Sequence, residues 1–212
     1  MIVLRALSAL LSYPTEEMRQ ALPDIAAVVT PSPLVAERER AGIMALIDDL
    51  ARRDLLDAEE RYVELFDRDR ATSLHLFEHL YGDSRDRGDA MVDLKRIYER
   101  AGFALMTSEL PDYLPVLLEY LSCRSLAEAR EMLADCAHIL KKIAGALLAR
   151  DSAYAGVLQA LIVIAGERPV DAASVRKAQP LPENLDRDWF EEPAFANAPL
   201  ATGRGRTGGN NM

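Results

Sequence analysis

With two cysteines, three histidines and one tryptophan among 212 residues, the chain offers little to several kinds of protein. Cys123 and Cys136 have twelve residues between them and form no C-x-x-C pair. That usage shows no disulfide framework and suits a reducing compartment. Aromatic residues make up 6% of the chain, and Leu161-Ile162-Val163-Ile164 is almost its only β-branched run. Sheet is therefore disfavoured, while the recurrence of Ala and Leu favours helix. No uninterrupted apolar stretch approaches the ~18 residues that suggest a membrane span. Also missing are a nucleotide-binding glycine motif, a Walker sequence, a nucleophile elbow and an internal repeat. Catalysis is left with little support.

What is present is 50% hydrophobic content, a formal charge of -9 and a pI near 4.9. One good core is expected, in an all-α fold. The acidity would repel a phosphate backbone, so nucleic acid is excluded as a partner and a basic polypeptide is favoured. Met1 to Leu11 lacks the basic start of a signal peptide and runs into Ser12-Tyr13-Pro14, so it reads as a first helix. A soluble, cytoplasmic protein without direct membrane insertion is expected.

Leu4, Leu7, Leu10 and Leu11 have helical spacing, and Thr15 caps a second helix that Pro23 is expected to divide. Ile43, Leu46, Ile47 and Leu50 form the stripe of a third helix, and Tyr62, Leu65 and Phe66 the apolar side of a short fourth. Met91, Leu94, Tyr98 and Ala101 predict a helix that Asp83 or Ser84 could cap and Gly102 stops. Leu114, Leu117, Leu118 and Leu121 predict another, with Pro115 in its first turn. Ser125-Leu126-Ala127-Glu128 is a capping box, opening a helix in which Leu126, Leu133, Leu140 and Leu147 recur every seven residues with Cys136 as a small core residue. Tyr154 to Ala165 gives a last helix, ended by Gly166. The domain is expected over residues 1–175. Residues 176–212 read as a disordered or loosely docked tail, whose Trp189-Phe190 pair could fold back on the body and whose Gly-Arg run is too short for RNA binding.

Thr72 to Gly88 stands apart, because it mixes His, Glu, Asp and Arg with Leu74, Leu76, Phe77 and Leu80. Within it His75-Leu76-Phe77-Glu78-His79 fits H-x-x-E-H, which on a helix would put both imidazoles on one face for zinc, with Glu78 on a metal-bound water. A third protein ligand would be needed, and the only other histidine is His138. The bland reading makes His75 and His79 half-buried helix residues bonded to nearby carboxylates.

The same residues carry a resemblance. Ser73 to His79, then Gly82 to Gly88 and Ala90 to Leu94, with Glu109 to Pro115 running into Leu117 to Leu121 and Leu-Leu-Ser-Tyr-Pro at 10 to 14, resemble the nitrate reductase molybdenum cofactor assembly chaperones. These are the delta-subunit or NarJ-type members of the redox enzyme maturation chaperones. The likeness covers roughly residues 1 to 170. The wider family's Y-x-x-L-F element is met by Tyr62, Leu65 and Phe66. Its E-P-x-D-H element is met in part by Glu109, Pro111 and Asp112, with Pro displaced by one position and Tyr113 in place of His.

The resemblance implies a chaperone with no cofactor of its own. It would bind the N-terminal segment of the molybdenum-containing catalytic subunit and hold the apoenzyme open until the bis-molybdopterin guanine dinucleotide and an iron-sulfur cluster are inserted, before membrane docking. The expected peptide-binding residues are Leu74, Phe77, Tyr81, Tyr113 and Leu117 as groove, with His75 beside them. Glu78, Asp83, Asp86, Glu109 and Asp112 would serve as acceptors. Arg85 and Arg87 either belong to this set or form an internal ion pair with Asp83 or Asp86, and Asp112 could equally cap a helix. A generic helical peptide-binding adaptor and a zinc hydrolase are the alternatives.

Overall fold

The computed structural model describes residues 1–82, 84–105 and 109–178. Among these the fold is all-α, with a single isolated bridge, His75 to Tyr113, where a sheet might have been. Asp83 and everything beyond Ala178, including the Trp189-Phe190 pair, lie outside the described residues. No helix among those described is long and apolar enough to cross a membrane.

Helix α1 (Ile2–Leu11) buries Leu4, Leu7, Leu10 and Leu11 against α7 (Leu114–Ser122). Buried Ser8 adds a hydrogen bond from its hydroxyl to the Pro115 carbonyl at 2.8 Å, satisfying both groups inside the core. Thr15 caps α2 (Glu16–Val29), its hydroxyl accepting from the Met18 amide. Pro23 does not divide that helix. It sits on the exposed face, where water can take the carbonyl that loses its donor, while buried Met18, Leu22, Ile25 and Val29 hold the turns on both sides.

Helix α3 (Glu37–Arg52) and α4 (Leu55–Tyr62) follow, and α4 runs on into a π-helical turn over Val63–Asp67. The Arg68 amide reaches back five residues to the Val63 carbonyl at 3.1 Å. The wider turn carries both Leu65 and Phe66 into the core, where a plain α-helix had been expected. Next come α5 (Glu78–Tyr81), α6 (Asp86–Arg100) and α7. The capping box at Ser125 opens α8 (Leu126–Asp135), with both reciprocal bonds present.

The expected heptad helix is two helices, because the backbone at Cys136 leaves helical geometry before α9 (Ala137–Ala149) begins. No Pro or Gly causes the break. The Cys136 thiol takes up the Met132 and Leu133 carbonyls at 3.4 Å, and burial pushes that thiol up to about 12, so it stays a neutral donor. Helix α10 (Ala155–Ile164) is buried on nearly every side and packs against α3, α9, α8 and α1. The Leu161-Ile162-Val163-Ile164 run is thus the centre of the bundle, where each fully buried aliphatic side chain contributes about 1.5–3 kcal/mol. A short α11 (Ala172–Ala178) follows, which the apolar periodicity had not indicated.

Helices α3 and α10 touch through glycines. A Cβ added to Gly156 would stand 2.6 Å from the Gly42 carbonyl carbon, against backbone that cannot swing away, whereas one added to Gly42 would meet only the Gly156 Cα at 3.1 Å. We expect Gly156→Ala to lower the unfolding free energy in urea by about 1–3 kcal/mol, the usual cost of overpacking. Gly42→Ala should cost less, because the gain in helix propensity of about 1 kcal/mol offsets a milder clash. Gly145→Ala in α9, with open space around it, should stabilise by about 0.5–1 kcal/mol.

Candidate functional site

Around His75 the chain is strand-like, with Leu74 and Leu76 buried on either side of the partly exposed imidazole, before it turns at Leu76 and Phe77 into α5. Two backbone bonds fix the strand-like piece to the turn before α7: Leu76 N–H to the Asp112 carbonyl at 3.1 Å and Leu114 N–H to the Leu74 carbonyl at 2.9 Å. The Asp112 side chain, 0% exposed, completes the junction. One carboxylate oxygen accepts from the Phe77 amide at 3.0 Å and the other faces His75 Nδ1 at 3.4 Å. Arg87 of α6 approaches to 4.0 Å and pairs with Glu78 at 3.3 Å.

This arrangement corrects three expectations. His75 lies ahead of α5, so His75 and His79 do not share a helix face. His75 turns to Asp112, while His79 Nε2 donates to the Ser73 carbonyl at 2.9 Å and braces the loop. Among the described residues no three His, Cys, Asp or Glu side chains are grouped so as to hold a metal ion. Asp112 does not cap α7, whose N-cap is Tyr113 without a side-chain bond. Arg87 pairs with Glu78 and Asp112 instead of Asp86, Arg85 is exposed with no ion pair among the described residues, and the alternative pairing with Asp83 lies outside them.

Tyr113 continues the junction inward. The Tyr62 hydroxyl donates to the Leu11 carbonyl at 2.8 Å, so its single proton is engaged and Tyr113 must donate to it across 2.6 Å. Burial pushes the Tyr113 phenol up to about 12 and the Tyr62 phenol further, so both remain neutral. Tyr62 in turn packs on Phe66, and Phe66 edge-on to Tyr154 of the core. Tyr98 of α6 donates to the Pro111 carbonyl at 2.8 Å, which holds the other end of the same turn. On the loop's far side buried Thr72 donates to the Leu65 carbonyl and accepts from Arg150, which also pairs with Asp69.

Beside Tyr113 lie two clefts of about 330 and 380 Å³ that share Phe103, Ala104, Leu105 and Glu109. Gly102, at φ +73°, turns the chain out of α6 and delivers Phe103, whose ring packs edge-on to Tyr98 and Tyr120. The first cleft is walled by Phe103, Leu105, Tyr113 and Val116 with Glu109 and Glu119 as acids, and the second adds Lys95, Glu99 and Pro111. Exposed Glu109 and Glu119 make no ion pair among the described residues.

Of the candidates named from sequence, only Tyr113 and Glu109 line these clefts. Leu74 and Leu117 are core residues, 1% and 4% exposed. Phe77 is half-buried and stacks edge-on against Tyr81, which is exposed. Asp86 lies in the exposed first turn of α6, bonded by Ser84. Phe103, Leu105, Val116 and Glu119 were missed. Phe103 and Leu105 fall outside any helical period after a helix-stopping Gly102, and that was the available signal.

The fold recurs in a solved structure described as a redox enzyme maturation protein from Archaeoglobus fulgidus, at a TM-score of 0.55 and 21% identity over 77% of this chain and 92% of that one. Family membership rests on sequence. The profile of the nitrate reductase delta subunit matches residues 14–160, and the chain belongs to that family. It is 39% identical over 91% of its length to 84% of the nitrate reductase molybdenum cofactor assembly chaperone NarJ of Escherichia coli strain K12. A Bacillus subtilis protein that bears the same NarJ name is 33% identical, over 76% of this chain and 86% of that one.

The Asp112 bond, then burial opposing it, then the negative charges of Asp112 and Glu78 together raise the His75 pKa against the opposing charge of Arg87. A raised folded value means that the His75 contribution is fully present below the unfolded value near 6.5 and is lost as pH climbs through the folded one. The stability difference between the native chain and His75→Gln should therefore be largest below the unfolded value and shrink as pH rises through the raised folded one in urea titrations. Asp112→Ala should cost about 2–4 kcal/mol at pH 6, since it leaves the Phe77 amide and His75 without their acceptor. A difference that grows with pH would assign the shift the wrong sign.

Proposed function

We propose that this protein is a non-enzymatic assembly chaperone. It binds the N-terminal segment of the molybdenum-containing catalytic subunit of a nitrate reductase and keeps the apoenzyme competent for cofactor insertion before membrane docking. Family membership and the assembly role in the names of relatives support the partner, and the chain's own residues support the mode.

The observation that carries the reading is the first cleft, beside Tyr113, apolar along Phe103, Leu105 and Val116 and acidic at Glu109 and Glu119. An amphipathic peptide with basic residues matches both properties: its apolar side displaces water from the wall, and the free acids steer its charges. Among the described residues the phenols and imidazoles of the site are taken up by the fold. The phenols are held neutral by burial, both imidazoles bond to groups of the fold, and His75 and His79 face different partners. The molybdenum cofactor is cargo of the partner and calls for no ligand set here.

Calorimetric titration with the catalytic subunit's N-terminal peptide tests this. Phe103→Ala should weaken binding by about 1–2 kcal/mol, as for an aromatic interface anchor. Glu109→Lys with Glu119→Lys should weaken it several-fold more at low salt than at ~0.5 M, where the reach of charge falls below about 5 Å. An equal response to an unrelated basic amphipathic peptide would favour a generic adaptor, and no heat with either peptide would overturn the reading.

A further inference from the structure

Helices α1 and α2 are joined by only the short turn from Ser12 to Thr15, so they run antiparallel side by side. Helix α1 gives Leu4, Leu7, Leu10 and Leu11 to the core, yet Ile2 at its start stays 70% exposed. Between the two helices lies a shallow groove of about 190 Å³. Ala6 and Ala9 of α1 with Ala21 and Ile25 of α2 make it apolar, and Ile2 and Val28 flank one end. Two charged residues border it, Arg5 on α1 and Asp24 on α2. Both are exposed, and neither has an ion pair among the described residues.

Charge decides what fits this face. The chain carries a formal charge of -9, so two copies repel at a distance, and an acidic surface such as the first cleft beside Tyr113 cannot face itself. The face of α1 and α2 is balanced instead, with one cation and one anion on opposite sides of an apolar groove. A basic peptide is attracted to Asp24 only as much as it is repelled by Arg5, and an acidic one fares no better. A second copy of the same face supplies an opposite charge to each of them and an exposed aliphatic side chain to the groove. The surface is thus complementary to itself, which is what a two-fold interface requires.

We propose that two copies of this chain pair through the face of α1 and α2, about a two-fold axis that runs along the groove. That axis lays α1 of each copy over α2 of the other, which brings Arg5 to the partner's Asp24 and Ile2 to the partner's Val28. A two-fold axis across the groove would set Arg5 on Arg5 and Asp24 on Asp24, and like-charge repulsion disfavours it. The two helices are roughly 15 and 21 Å long and about 8–10 Å apart, so each copy covers on the order of 400 Å², below the ~800 Å² per partner of a stable interface. The pair is therefore a weak one that forms as concentration rises. Its face shares no lining residue with the clefts beside Tyr113, so the proposal stands apart from the function inferred above.

Sedimentation equilibrium of the full-length chain from about 10 µM to about 1 mM, the range suited to a small transient interface, should show the average mass rising from one chain toward two. Ile2→Asp should raise the dissociation constant roughly tenfold or more, since it puts a charge where an aliphatic side chain is buried in the pair. Arg5→Asp and Asp24→Arg each leave the face with two like charges. Either variant alone should stay monomeric, whereas an equimolar mixture of the two should pair again. All three positions are exposed, and thermal melts check that each variant is folded. A native chain of constant mass, a rise that Ile2→Asp leaves untouched, or a mixture no heavier than its components would overturn the proposal. Loss of binding to the catalytic subunit's N-terminal peptide in Ile2→Asp, with the native chain monomeric, would give the face to that partner and overturn it too.

Discussion

One buried carboxylate, that of Asp112, determines how two distant parts of the chain meet. The loop from Ser73 to Phe77 has almost no regular structure of its own, so its backbone groups need partners from elsewhere. Asp112 supplies a carbonyl to Leu76, one carboxylate oxygen to Phe77 and the other to His75. An acid with no exposure is tolerable only while such donors surround it, and the loop is ordered only while the acid is there. The dependence is mutual, which makes the junction cooperative: losing one bond exposes the rest to water.

The junction reaches the clefts through Tyr113. Its backbone bridges His75, its ring stacks near the imidazole at 5.1 Å, and its hydroxyl enters the Tyr62 to Leu11 chain of bonds. One wall of the first cleft is therefore fixed from three directions. The opposite wall, Phe103 and Leu105, hangs from Gly102 and from ring contacts with Tyr98 and Tyr120.

The helices were legible wherever a short-range signal acts alone. Thr15, Ser125 with Glu128, Pro115 and Gly166 mark helix ends by local hydrogen bonding or backbone freedom, and each stands where expected. The misreadings share a different cause. Leu74, His75 and Leu76 alternate with period two, but the His-x-x-Glu-His spacing drew attention to period 3.6. Pro23 reads as a breaker until its face is known to be the wet one, and nothing local announces the turn at Cys136. The Asp112 junction joins residues more than thirty positions apart, and no periodicity encodes that. Phe103 and Leu105 matter because of what α7 brings beside them.

The acids divide into two groups, and the division says more than the charge of -9 does. Asp112 and Glu78 are engaged with His75, Arg87 and backbone amides, and Asp69 with Arg150, so these acids hold loops in place and contribute little field outside. Glu109 and Glu119 are exposed and unpaired among the described residues, and both line the apolar cleft. Exposed acids need little support from the fold and remain free to attract a cationic partner over roughly a Debye length of 8–10 Å. On the proposed reading, recognition and folding draw on different carboxylates. Replacing Glu109 or Glu119 would leave the loop's own hydrogen bonds intact, whereas replacing Asp112 would not.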